Sequence, residues 1–124
     1  MVFPGDPTED TLYSRNVLQK LITSDAVVPE VWPFEIANNI FVSHHKRKRI
    51  DDRQIFEYLE LLRALPIRVE SQPLWSNVEL ESLARKWNIA AYDAAYLALA
   101  IRKSIPLATS DEALKSAASV SILE

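Results

Sequence analysis

The sequence predicts an α/β protein with a parallel sheet flanked by helices, on three observations. Helix and strand patterns alternate along the chain. Its most regular stretch, NIAAYDAAYLALAIRKSIPLATSD over residues 88–111, is one helix followed by one strand. The main strand candidates are short, continuous apolar runs, as expected of strands covered on both faces. In an open sheet of this kind ligands collect beyond the carboxyl ends of the strands. The stretch sets Asp93 at its helix start and Asp111 just past its strand end.

Taken in order, residues 1–7, MVFPGDP, hold two prolines and the single glycine and read as an exposed loop. Thr8 is the expected N-cap of a helix to about Thr23, with Glu9 and Asp10 in its first turn and Val17, Leu18, Leu21 and Ile22 on its apolar face. Ala26 to Val28 is a very short buried strand ending at Pro29. Pro33 suits the first turn of a helix from Phe34 to about Ser43, with Ile36, Ala37, Ile40 and Phe41 facing inward. Glu35 lies in that first turn. Asn38, three residues on, shares its face and can hydrogen-bond the carboxylate.

His44, His45, Lys46, Arg47, Lys48 and Arg49 end this helix, where cations interact favourably with the negative end of the dipole. Asp51 or Asp52 caps the next helix, to about Leu65, with Ile55, Leu59 and Leu62 inward, which gives a helical hairpin with a basic tip. Ile67 to Glu70 alternates as a strand does. Leu80, Leu83, Ala84 and Trp87 mark one face of a helix that Asn88 terminates. In the central unit, Ala94, Leu97, Ala98 and Ile101 recur at helical spacing and Ala95, Leu99 and Ala100 widen the stripe, so this helix is buried on most sides. Ile105 to Ala108 is the strand that follows. Glu112 to Ala118 is a short helix, and Val120 to Leu123 a final strand.

At 124 residues, 48% hydrophobic and 25% charged, the chain fits one globular domain over residues 1–124. Without cysteine it has no disulfides, thiolate chemistry or thiolate-held metals. No run has the length of a membrane span and the first residues lack a signal-peptide pattern, so a cytoplasmic protein without membrane attachment is expected. One glycine excludes the usual dinucleotide fingerprint, Walker A loop and nucleophile elbow. A net charge of −3 does not advertise nucleic-acid binding, yet Lys46, Arg47, Lys48 and Arg49 concentrate four of the 14 lysines and arginines, and RNA backbone contact is one use for them.

Each acid has an ordinary explanation: Glu35 and Asp93 offset helix dipoles, and Asp111 caps the helix after it. Together they are three carboxylates on separate elements with no basic partner close in sequence, an arrangement that is costly unless a cation neutralises it. All-oxygen donors suit a hard divalent ion. Mg²⁺ or Mn²⁺ so held serves metal-dependent nucleases by activating water and stabilising phosphoryl charge. Adjacent His44 and His45 cannot easily turn to one metal. A phospho-acceptor receiver domain also clusters acids around Mg²⁺, but its adjacent acids and late lysine do not occur where needed.

The segments VVPEVWPFEIANNI, NIAAYDAAYLALA and PLATSDEAL resemble the PIN-domain proteins, specifically the VapC-type toxins of toxin–antitoxin pairs, and the resemblance runs in order through essentially the whole chain. It implies a PIN-like three-layer fold with a parallel sheet of about four short strands flanked by helices. By resemblance, Glu35, Asp93 and Asp111 match three of the family's four acidic positions and Thr109 its small hydroxyl residue. The implied activity is Mg²⁺- or Mn²⁺-dependent endoribonuclease cleavage, with a VapB-type antitoxin and a homodimer as partners.

One departure stands out. PIN proteins open with a buried strand of the type I-D-x-S whose aspartate is a principal metal ligand, and this chain is expected to start after it; Asp6 and Asp10 fall too late to replace it. The expected fold therefore lacks its first central strand. Three or four buried apolar side chains at about 1.5–3 kcal/mol each rival a whole domain's net stability of about 5–15 kcal/mol. So either the true start lies upstream, or the domain leans on a dimer partner, or the sheet closes without that strand. Two functions follow: a ribonuclease in which Glu35, Asp93 and Asp111 bind the catalytic metal and Asn38 orients Glu35, or an inactive PIN relic that binds an antitoxin or dimerises.

Overall fold

The structure, a computed structural model, describes residues 1–5, 12–46, 48, 50–73, 75–109 and 111–121. Six α-helices and two paired strands occur among them. Helix α1, Leu12–Leu21, buries Ser14, Val17 and Leu21 on one face, and Ser24 closes it by donating its hydroxyl to the Lys20 carbonyl at 2.8 Å. The expected cap Thr8 and first-turn acids Glu9 and Asp10 lie outside the described residues.

Strand β1, Ala26–Pro29, is buried throughout and pairs in parallel with β2, Ile67–Glu70, from Ala26 opposite Ile67 to Pro29 opposite Glu70. β2 is the half-exposed edge of this pair. Glu70 ties it to the end of a later helix through Lys103 at 2.5 Å.

On the other side of β1, the first residues of the chain enter the sheet, contrary to the expected exposed loop. Val27 N–H donates to the Met1 carbonyl, Val2 N–H to the Pro106 carbonyl and Ala108 N–H to the Val2 carbonyl, each at 2.9 Å, and Val2 bridges Leu107 in parallel. Val2 and Phe3 are fully buried. The reason is apolar: this lane is covered on both faces, and Val2 and Phe3 supply side chains to fill it. Gly5 then turns the chain at φ +85°, a conformation other residues adopt at a cost, and its carbonyl accepts from the Trp32 indole at 3.0 Å. The sheet region thus has four lanes, β2, β1, Met1–Phe3 and Pro106–Ala108, with the lane beside β1 filled from this chain's own first residues.

Helix α2, Val31–Phe41, follows β1 after Glu30 alone, whose side chain accepts from the Gln72 backbone and so fastens the start of α2 to the segment beyond β2. It continues into a π-helical turn, Val42–Lys46. Helix α3, Asp52–Ala64, opens with a reciprocal capping box between Asp51 and Gln54, both bonds at 2.9 Å. Helix α4, Ser76–Trp87, stops where Asn88 turns left-handed. Helix α5, Ala91–Lys103, has every residue from Ala94 to Ala100 buried, which its alanines allow by letting α4 and α6 pack closely. The strand expected over Ile105–Ala108 shrinks to the single bridge at Leu107, since Pro4, the next donor position of the paired lane, has no N–H to extend the ladder.

The final strand expected at Val120 to Leu123 does not form. Val120 lies within α6, Glu112–Ser121, because Leu114, Ala117 and Ala118 keep a helical period and no glycine or proline interrupts it; residues 122–124 lie outside the described residues. Among the described residues, no helix is long and apolar enough to cross a membrane.

Candidate metal centre

Glu35 stands just beyond the carboxyl end of β1, in the first half of α2, and is half-buried. Its Oε2 accepts a hydrogen bond at 3.1 Å from the hydroxyl of Tyr96, a fully buried residue of α5. Asp93, also half-buried, sits in the first turn of the same α5. Asp111 follows the Pro106–Ala108 lane and caps α6, its Oδ1 accepting from Leu114 N–H at 2.8 Å. Thr109, nearly buried, fixes that cap: its Oγ1 accepts from Asp111 N–H at 3.1 Å. Two carboxyl ends of the sheet and one helix start therefore converge.

The electrostatics record that convergence. Burial raises the Glu35 pKa above its ordinary value, the Tyr96 hydrogen bond works against that rise, and the charge of Asp93 adds to it. Burial likewise raises the Asp93 pKa, and the charge of Asp111 adds to it. Each acid in the series Glu35, Asp93, Asp111 thus feels the next, and no lysine or arginine among the described residues offsets the repulsion at the first two.

This fixes the sign of a pH dependence. Both groups hold a proton more tightly folded than unfolded, so their favourable contribution is complete at acid pH and is lost as pH rises through the raised folded values. In EDTA, Glu35→Gln should gain stability relative to the wild type from about pH 4, below the ordinary glutamate value, to about pH 7, because only the wild type acquires the buried charge. Urea midpoints at the two pH values measure it. A variant offset that does not change with pH would mean that Glu35 is not strained by its ionisation.

The donors fit a hard divalent cation by chemistry and by charge, since all are carboxylate oxygens and their mutual repulsion is what a cation relieves. Their side chains do not stand in a closed shell: among the described residues, no three acidic or imidazole groups are placed to hold a metal together.

Asn38 does not join them. It is exposed, its carbonyl accepts from Val42 N–H at the end of α2, and the described hydrogen bond to Glu35 comes from Tyr96 instead. Tyr96 is absent from the sequence reading, although a signal for it exists: it is the one hydroxyl in the buried run Ala94–Ala100, three residues after Asp93.

The basic tip lies at the far end of α2. Lys46 and Lys48 are exposed, while Arg47 and Arg49 lie outside the described residues. His44 pairs with Asp52 at 3.2 Å, which fastens the π-helical turn to the start of α3. Between α2, α3 and β2 runs an apolar groove of about 650 Å³, lined by Trp32, Ile36, Ile40, Ile55, Leu59 and Ile67.

In comparison with known proteins, the family model of the PIN domain matches residues 3–120. No curated protein matches the chain.

Proposed function

This chain belongs to the PIN domain family, whose members are generally metal-dependent nucleases, and we propose that it is an endoribonuclease of the VapC toxin type. The observation that supports this most is the placement of Glu35, Asp93 and Asp111 at the end of β1, the start of α5 and the end of the Pro106–Ala108 lane, where the charge of Asp93 is felt at Glu35 and that of Asp111 at Asp93. In this reading the three carboxylates hold Mg²⁺ or Mn²⁺. The ion, when bound, supplies water activation and neutralises charge at an RNA phosphodiester. The protein's own part is positional. Tyr96 holds one Glu35 oxygen, Thr109 sets the backbone from which Asp111 projects, and the buried Ala94–Ala100 segment anchors Asp93.

The aspartate that the family's first strand supplies has no counterpart in the Met1–Phe3 lane, which is Met-Val-Phe. A VapB-type antitoxin, a homodimer and a cytoplasmic setting complete the toxin reading.

A structured RNA incubated with the purified chain tests it. Cleavage should appear with Mg²⁺ or Mn²⁺, disappear in EDTA and return when the ion is restored; cleavage indifferent to EDTA would refute the metal mechanism. The second reading, an inactive relic that binds an antitoxin or dimerises, is favoured by the apolar groove between α2 and α3. It predicts binding without turnover under every metal condition.

A further inference from the structure

We propose that the tip of α2 is a stacking platform for an unpaired RNA base, built from His45 backed by Phe41, with Lys46 and Lys48 for the flanking phosphates. The inference rests on the ribonuclease reading for its substrate and adds to it a binding site remote from the carboxylates. The rings of Phe41 and His45 stack at 5.0 Å between centroids with 16° between planes. Both residues are exposed, Phe41 to 48%. An exposed aromatic pair gains little from burial, yet it presents a flat face: one side of the imidazole lies on Phe41 and the other is open to a base.

Two features hold this face in place, and a strained lysine and a positive charge lie beside it. The turn that bears His45 is π-helical, a local widening that is frequent at functional sites and that sets His45 over Phe41. The pairing of His44 with Asp52 and the capping box of α3 anchor the turn from behind. Lys48 adopts a left-handed conformation at φ 50°, which costs energy for a side chain of its kind. The Lys46 ammonium lies 5.9 Å from the Phe41 ring centroid, so positive charge sits beside the stack.

A platform of this chemistry selects single strands. Bases inside a duplex are already stacked and offer no face, whereas an unpaired base can lie on the imidazole while its phosphates meet the lysines. Phe41 follows Glu35 by six residues on one helix, about 9 Å along its axis, so α2 carries both the platform and one of the carboxylates.

The test is fluorescence anisotropy of a labelled oligouridine with the full chain in EDTA, where binding is read without cleavage. His45→Ala should weaken binding by about tenfold. His45→Trp, which restores a stacking ring, should bind as the wild type does. Lys46→Ala should instead reduce the salt dependence, by about 0.7 in the slope of log affinity against log salt. On an oligomer of the same backbone without bases, wild type and His45→Ala should bind equally, and circular dichroism melts should show the variants folded. Equal binding of oligouridine by wild type and His45→Ala, or an equal loss on the baseless oligomer, would overturn the platform. The nuclease reading is judged separately: metal-dependent cleavage with no role for His45 would remove the platform alone, and His45-dependent binding without cleavage would support the platform while removing the nuclease.

Discussion

Asp93→Asn should abolish metal-dependent RNA cleavage while leaving the protein folded and, without metal, more stable than the wild type. The expected loss exceeds about 100-fold, since even a residue that only supports a metal ligand is worth about 10–100-fold. Asp93 is the middle member of the series: it is repelled by Asp111, and its charge raises the pKa of Glu35. Removing the charge takes away a donor and at the same time relieves two repulsions. The two readouts therefore move in opposite directions, which separates loss of a ligand from loss of structure. Gel-resolved cleavage in Mg²⁺ or Mn²⁺ and urea unfolding in EDTA measure them. A variant that keeps full cleavage removes Asp93 from the metal site.

The largest expected effect on stability is at the other end of the chain. Phe3→Ala should lower the unfolding free energy by about 3–5 kcal/mol, the usual cost of emptying a buried aromatic site. Phe3 is 0% exposed and meets Trp32 edge to face at 6.3 Å, and Trp32 in turn holds the Gly5 carbonyl. Against a net stability of about 5–15 kcal/mol, that loss would leave the chain marginal. Tyr92→Ala, at a site 67% exposed, serves as the control and should stay within about 0.5 kcal/mol. Denaturant curves for the two variants decide the matter; a Phe3→Ala midpoint equal to that of the control would take Met1–Phe3 out of the core.

Much of the helical frame was legible in the sequence. The period of Leu80, Leu83, Ala84 and Trp87, the cap expected at Asp51 or Asp52 and found at Asp51, and the alanine-rich stripe after Asp93 are local signals, and each lies where its pattern indicated. What failed depended on distant partners. Met1–Phe3 is too short to show a strand pattern and is followed by Pro4 and Gly5, so it reads as a loop until β1 and Leu107 pair with it. Val120 belongs to a β-branched pattern locally, but α6 runs through it because nothing breaks the helix. At the site, the three acids could be singled out by residue type and by resemblance, and their electrostatic contact required the fold. A side chain three residues on shares a helix face with Glu35, which points to Asn38, whereas the bond to Glu35 arrives from Tyr96 of α5, across 61 residues of sequence.

Titration of Mn²⁺ into the chain, with the free ion read by electron paramagnetic resonance, tests the central claim most directly. The account predicts saturable binding that weakens in Glu35→Gln and Asp93→Asn and is competed by Mg²⁺. Binding that is unchanged in both variants, or no binding by the wild type, would contradict a metal centre built on these carboxylates.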